Sequence, residues 1–234
     1  MTADARPGRR GAAALPARRY AERPVPGWAR AIGRTLAHGV WDARVVGAER
    51  VPATGPVLFA ANHTSVVDGP LLQGITPRPV HILVKAEMFT GPIGALLRAS
   101  QQIPVDRSGG RAALVAALAV LQRGDAVGVF PEGNRGRGDA ASARAGVAWL
   151  AVNGQAPVVP VAILGTRRTG ESVGHVPGLR RRLHVELGAP LDLTPAPGQS
   201  RREAIGAGTE AVRVALSALV AAAAERTGAA LPTD

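Results

Sequence analysis

The chain has no cysteine, which removes disulfides, thiolate nucleophiles and cysteine-based metal sites from consideration. Aromatic residues are scarce: three tryptophans, three phenylalanines and one tyrosine in 234 residues. Base-stacking platforms therefore have little to draw on, and nucleic acid is set aside as a partner despite the positive charge. Lysine is nearly absent as well; Lys85 is the single one, and arginine supplies the rest of the 28 cationic side chains. With only 17 acidic residues the net charge is +11, which attracts an anionic membrane surface or a phosphorylated substrate. No apolar run reaches the roughly 18 residues of a membrane span. The early arginines are not followed by the apolar core of a secretory signal. The expectation is a soluble or peripheral cytoplasmic protein.

What is present is enough apolar sequence, 46%, for one substantial α/β core. Residues 1–25 mix Arg, Pro, Gly and Ala without a period and read as a basic flexible arm. Trp28, Ile32, Leu36, Val40 and Trp41 then recur at helical spacing. That amphipathic helix, placed over 26–41, has two readings. One packs its stripe on the core; the other lays tryptophan and arginine in a membrane interface. Beyond it, strand-like runs (43–47, 56–61, 80–85, 126–130, 158–164, 183–187) alternate with helix-like ones (69–75, 91–99, 111–123, 140–153, 200–226). The alternation predicts a single α/β domain over 26–227, with a central, largely parallel mixed sheet flanked by helices. The stretch 188–199 reads as a connection and 228–234 as a tail.

Four segments can carry chemistry. In Ala-Asn-His-Thr-Ser-Val-Val-Asp-Gly-Pro (61–70), His63 follows an apolar strand and Asp68 comes five residues later. Histidine takes a proton near neutral pH, and a carboxylate is its usual orienter. Five residues along a straight helix is about 140°, so the pair meets only across a strand-to-helix turn. Pro70 suits the first turn of such a helix, and Asp68 is equally readable as its N-cap.

Ile-Pro-Val-Asp-Arg (103–107) ends a strand-like run in Asp106 and Arg107. Arg107 fits either a bidentate phosphate contact or an ion pair with its neighbour. Val-Gly-Val-Phe-Pro-Glu-Gly-Asn-Arg-Gly-Arg-Gly (127–138) runs a buried strand into Pro131 and Glu132. Its glycines, Gly133 among them, let backbone amides approach an anion, and Arg135 and Arg137 add charge. The Gly-Lys-Ser/Thr ending of a Walker loop is missing. Val-Val-Pro-Val-Ala-Ile-Leu-Gly (158–165) reads as a core strand and pocket wall, with Pro160 at an edge or bulge. Lys85 ends the run 81–85, where a cation could line a channel for an anionic substrate. His38, His81, His175 and His184 lack the spaced partners of a metal site and read as structural.

In this order the four segments resemble the glycerolipid acyltransferase family. Asn62, His63 and Asp68 match its Asn-His-x4-Asp block. Ile103 to Arg107 match Ile-x-Val-Asp-Arg, with Gln101 where the family often has glycine. Phe130 to Gly133 and Arg135 match Phe-Pro-Glu-Gly-Thr-Arg-Ser, from which Asn134 and Gly136 depart. Val159 to Val161 match a Val-Pro-Val-like strand, and Lys85 sits in a Lys-x-Glu-like segment. The resemblance covers roughly residues 40–190.

It implies that His63 is the general base and Asp68 its orienter. It implies an acyl thioester of CoA or acyl carrier protein as donor, with no cofactor and no metal. Arg107, Glu132, Gly133, Arg135 and Lys85 would hold a phosphorylated acceptor such as lysophosphatidic acid, at the inner face of the cell membrane among anionic lipids. Other acceptors stay open: glycerol 3-phosphate, another lysophospholipid, a lyso-ornithine lipid or a glycolipid. So does a non-catalytic lipid-binding role.

Overall fold

The computed structural model describes Arg19, residues 22–106 and residues 110–234. Most of the expected basic arm, and Arg107 with the two residues after it, lie outside the described residues. Helix α1 (Gly27–Arg34) passes into a π-helical segment, Thr35–Val40, and strand β1 (Asp42–Val46) follows. Then come β2 (Val57–Ala61), α2 (Asp68–Ile75), β3 (Val80–Lys85), α3 (Gly91–Ala99) and β4 (Ile103–Val105). Helix α4 (Gly110–Gln122), β5 (Ala126–Val129), α5 (Gly146–Gly154), β6 (Val158–Leu164), β7 (Arg182–Leu187) and α6 (Arg201–Thr227) complete the chain.

The seven strands form one sheet in the order β1-β7-β6-β2-β5-β3-β4. All neighbours are parallel except β6 and β7. Both faces are covered, which is why β2 and β6 are apolar and buried at every position rather than alternating. Val57, Phe59 and Ala61 point to the side of α2 and Trp41; Leu58 and Ala60 point to α4 and α5. The alternation expected of a single α/β domain is the architecture found, and three layers follow from it.

Several local expectations change. Ile103–Val105 is a full edge strand on β3, with Pro104 at the edge where no ladder amide is lost. Pro160 lies inside the sheet, and the register explains how. Val161 pairs Leu187 while Val158 bridges Leu191, one residue out of step. Pro160 therefore faces a bulge and needs no amide. The helix read over 140–153 begins only at Gly146. Ala140 has φ +52°, and the Arg144 N–H is spent on the Pro131 carbonyl, so this stretch is held as a loop. Helix α6 is long and apolar enough to cross a bilayer by length and composition, although no single run in the sequence suggested it. Val212, Leu216 and Val220 are nonetheless buried, and the helix lies across the sheet. Its start is set by a capping box between Ser200 and Glu203.

The N-terminal helix does not pack as the stripe suggested. The buried residues are Ala29, Gly33 and Ala37, while Trp28 and Ile32 are 43% and 45% exposed. The reason is close approach: Gly33 sits against Gly74 of α2, and a side chain there would hold the helices apart. A Cβ on Gly33 would fall 2.6 Å from the Gly74 nitrogen and 2.9 Å from the Pro70 carbonyl oxygen. On a free helix Gly→Ala adds about 1 kcal/mol of stability. Here overpacking against rigid backbone costs about 1–3 kcal/mol. We expect Gly33→Ala to lower the melting temperature, by about 2–4 °C for each kcal/mol lost in a chain this size. A rise on thermal denaturation would show that the two helices are not in backbone contact.

Candidate active site

Strands β2 to β6 run parallel and end at the same edge of the sheet, opposite to β1 and β7, and the chemistry-bearing residues follow those ends. Asn62 and His63 follow β2, Lys85 closes β3, Glu132 follows β5, and Thr166 follows β6. The segment 62–67 is the strand-to-helix turn that His63 and Asp68 require. His63 Nδ1 lies 2.8 Å from Asp68 Oδ2. With Asp68 accepting a hydrogen bond from Nδ1–H, the imidazole lone pair is left on Nε2. Phe130 stacks on the imidazole, with centroids 4.0 Å apart and planes at 19°.

Asp68 is fully buried and meets four donors. Besides His63, the N–H groups of Thr64 and Ser65 each donate to Oδ2 at 2.8 Å, and the Thr166 hydroxyl donates to Oδ1 at 2.7 Å. The capping alternative is not what is found. Val67 is the N-cap, and the Asp68 carboxylate folds back onto the preceding turn instead. Sequence reading missed Thr166. Its position just beyond a parallel strand was the available signal, but nothing in the local sequence set it apart.

The loop after β5 grips the histidine segment at three points. Glu132 Oε1 accepts from the His63 N–H at 3.1 Å. The Gly136 N–H donates to the His63 carbonyl at 3.0 Å, and Asn62 Nδ2 donates to the Gly138 carbonyl at 3.0 Å. Glu132, expected to face a substrate, thus holds the backbone of the histidine. Gly133 adopts φ +73°, a conformation that favours glycine, and the Arg144 guanidinium packs over it where a Cβ would stand. Lys85 Nζ donates to Asn134 Oδ1 at 2.8 Å, which draws the lysine to the same loop. Arg135 lies between these contacts, and its buried Nε has no hydrogen-bond partner. Among the described residues, no group of three or more His, Asp or Glu side chains is placed to hold a metal ion.

Beside this site runs an apolar cleft of about 160 Å³. Trp28, Ile32 and Leu36 line one side, Pro70, Ile82 and Leu96 the other. Gly69 and Pro70 bring it next to Asp68.

A family model described as Acyltransferase matches residues 42–164, more than half of the chain. The chain belongs to this acyltransferase family and is an enzyme of that class. It is 31% identical over 172 residues to the 1-acyl-sn-glycerol-3-phosphate acyltransferase of Bacillus subtilis, covering 72% of this chain and 83% of that protein. It is 30% identical over 181 residues to the lyso-ornithine lipid O-acyltransferase of Pseudomonas aeruginosa, covering 69% and 68%. The fold is similar to the crystal structure of the 1-acyl-sn-glycerophosphate (LPA) acyltransferase PlsC from Thermotoga maritima. That match has a TM-score of 0.62 and 25% identity, over 82% of this chain and 78% of that one.

Burial pushes the Glu132 carboxyl up to about 7; the charges of Asp139 and Asp68 add to this, and the His63 N–H opposes it. The folded protein then keeps a proton that the unfolded chain releases near pH 4.5. Stability from this group is full below about pH 4.5 and is lost as pH rises to about 7. Glu132→Gln keeps an acceptor for the His63 N–H but cannot titrate. We expect its unfolding free energy, measured with urea, to fall less than the wild type's between those two pH values. Parallel curves would place Glu132 in solvent.

Proposed function

We propose that the chain transfers a fatty acyl group from an acyl thioester, of CoA or acyl carrier protein, to the free hydroxyl of 1-acyl-sn-glycerol 3-phosphate. The observation that carries this reading is the His63–Asp68 contact at 2.8 Å, which leaves Nε2 as the base. The imidazole takes the hydroxyl proton, and the oxygen attacks the thioester carbonyl. As the new C–O bond forms and the C–S bond breaks, the imidazolium returns the proton to the leaving thiolate. Asp68 holds the ring and balances its transient charge, as in triads generally. One proton passes from the hydroxyl through the imidazole to the leaving thiol, and the transfer calls on no cofactor.

The apolar cleft suits a long acyl chain, since its lining exposes almost no polar surface. Arg135, with its unpaired Nε, and Lys85 supply charge for the acceptor phosphate. Gly133 shapes the loop that presents them. Arg107 is assigned to the same phosphate on the strength of the motif alone. A lyso-ornithine lipid or other acceptor is the second reading, favoured by the Pseudomonas relative and by the bond that ties Lys85 to Asn134.

His63→Ala should lower kcat by about 10²–10⁴-fold, the scale of a lost general base. Asp68→Asn should fall in the same range, because the amide cannot accept the Nδ1 proton and all its other donors together. Thioester consumption assayed across a panel of lysolipid acceptors reads both effects and ranks the acceptors. Near-normal turnover in His63→Ala would sink the proposed mechanism.

We further propose that the enzyme sits peripherally on the inner face of the cell membrane. Trp28, Ile32 and Leu96 line the cleft and are exposed, Ile93 is exposed on the same helix as Leu96, and Arg30 and Arg34 share the helix with the first two. The double substitution Trp28→Ser, Ile32→Ser should weaken binding to phosphatidylglycerol vesicles in a sedimentation assay. Binding by the wild type should weaken as salt rises. Unchanged binding by the double variant would remove this helix from the interface.

A further inference from the structure

The turn Thr166–Gly170, which follows β6, carries the donor set of an anion site, and Asp234 of the same chain is seated on it. Arg167 is only 4% exposed. Its Nη2 donates to the Asp234 main-chain oxygen at 2.6 Å and lies 3.6 Å from Asp234 Oδ1. The Gly170 N–H donates to Asp234 Oδ2 at 3.1 Å. The Thr169 hydroxyl accepts from the Thr233 N–H at 3.2 Å and lies 3.3 Å from the Thr233 hydroxyl.

The same guanidinium reaches inward. Nη1 donates to the Glu171 carbonyl at 3.2 Å and Nη2 to the Gly136 carbonyl at 3.4 Å. Gly136 in turn holds the His63 carbonyl, and Thr166 holds Asp68. The turn is therefore one peptide group removed from the backbone of the proposed base. Arg167 Nε is buried and has no partner.

A buried guanidinium and a glycine amide converge where the Asp234 carboxylate now sits, and the Thr169 hydroxyl beside them holds the preceding residue, Thr233. A phosphate offers more oxygens and more charge than that carboxylate does. The Glu171 carboxylate accepts the Arg168 N–H of this turn at 2.8 Å, and its charge is met by a second arginine. Arg181 forks onto it at 2.7 and 3.0 Å and holds its carboxyl down at about 2. Arg168 is exposed on the turn and adds positive charge. Asp234 itself has a side chain 48% exposed, so it can leave without opening the core.

We propose that Thr166–Gly170 is a phosphate subsite of this enzyme, distinct from Lys85 and Arg135, which Asp234 fills until a substrate phosphate displaces it. The phosphate belongs to the acyl carrier or to the acceptor, and the tail is an internal competitor of that substrate. The assignment to a substrate rests on the acyl-transfer reading above; the anion site itself does not.

Inorganic phosphate titrated into the 234-residue protein, followed by calorimetry, tests the site without any turnover. Asp234→Asn, and separately a chain ending at Pro232, should bind phosphate about tenfold tighter than the wild type, the scale of one charged contact. Arg167→Lys should lose that gain when combined with Asp234→Asn. In steady-state assays of Asp234→Asn, one KM should fall several-fold while kcat holds. A fall confined to the thioester KM assigns the phosphate to the carrier; a fall confined to the lysolipid KM assigns it to the acceptor. Equal phosphate affinity in wild type and Asp234→Asn, with both KM values unmoved, overturns the proposal. Absence of acyl transfer by the wild type would instead overturn the reading above and leave the titration to judge the site.

Discussion

The buried carboxylate of Asp68 is the constraint around which the site is built. A charge with no solvent contact is tolerated only when donors surround it. Here they come from two places in the chain: the turn after β2, which gives the His63 imidazole and the Thr64 and Ser65 N–H groups, and Thr166 beyond β6. Meeting that need pulls the two strand ends together, aims Nδ1 inward and leaves Nε2 for the substrate. The group that orients the base therefore also organises the turn carrying it.

The sheet makes this possible. Parallel strands must return by crossovers, so β2, β3, β5 and β6 all end at one edge, and loops far apart in sequence share one space. The loop after β5 then fastens both peptide groups of His63 through Glu132 and Gly136. The histidine is held by hydrogen bonds to its side chain and its backbone at once, as proximity catalysis requires. Glu132 is the conflict in this arrangement. Its burial raises its pKa toward neutrality while the loop depends on its oxygen.

Much of this was legible in the residues themselves. A five-residue separation is incompatible with a helix if His63 and Asp68 are to meet, and Pro70 marked where the helix begins. The unbroken apolar runs of β2 and β6 announced a sheet covered on both faces. The choice between orienter and N-cap for Asp68 stayed open in the sequence because local preference could not see Thr166 nearly a hundred residues away. The helix at 140–145 was misread because Ala140 takes a left-handed conformation and the Arg144 N–H goes to the Pro131 carbonyl. The stripe Trp28–Trp41 divides: Leu36, Val40 and Trp41 pack on the core, while Trp28 and Ile32 stay exposed because Gly33 brings the helix onto Gly74 by its small-residue side.

By itself the sequence determined the fold class, the positions of the strands, and the pairing of a histidine with an acid across a turn. These depend on short-range periodicity and on turn chemistry, which a linear chain carries openly. Only the tertiary structure decided that Glu132 grips the backbone of His63. It also decided that Thr166 completes the Asp68 shell, that small residues bring α1 onto α2, and that Arg167 meets Asp234. Each of these is a contact between residues distant along the chain, and such contacts exist only once parallel strand ends have been brought to a common edge.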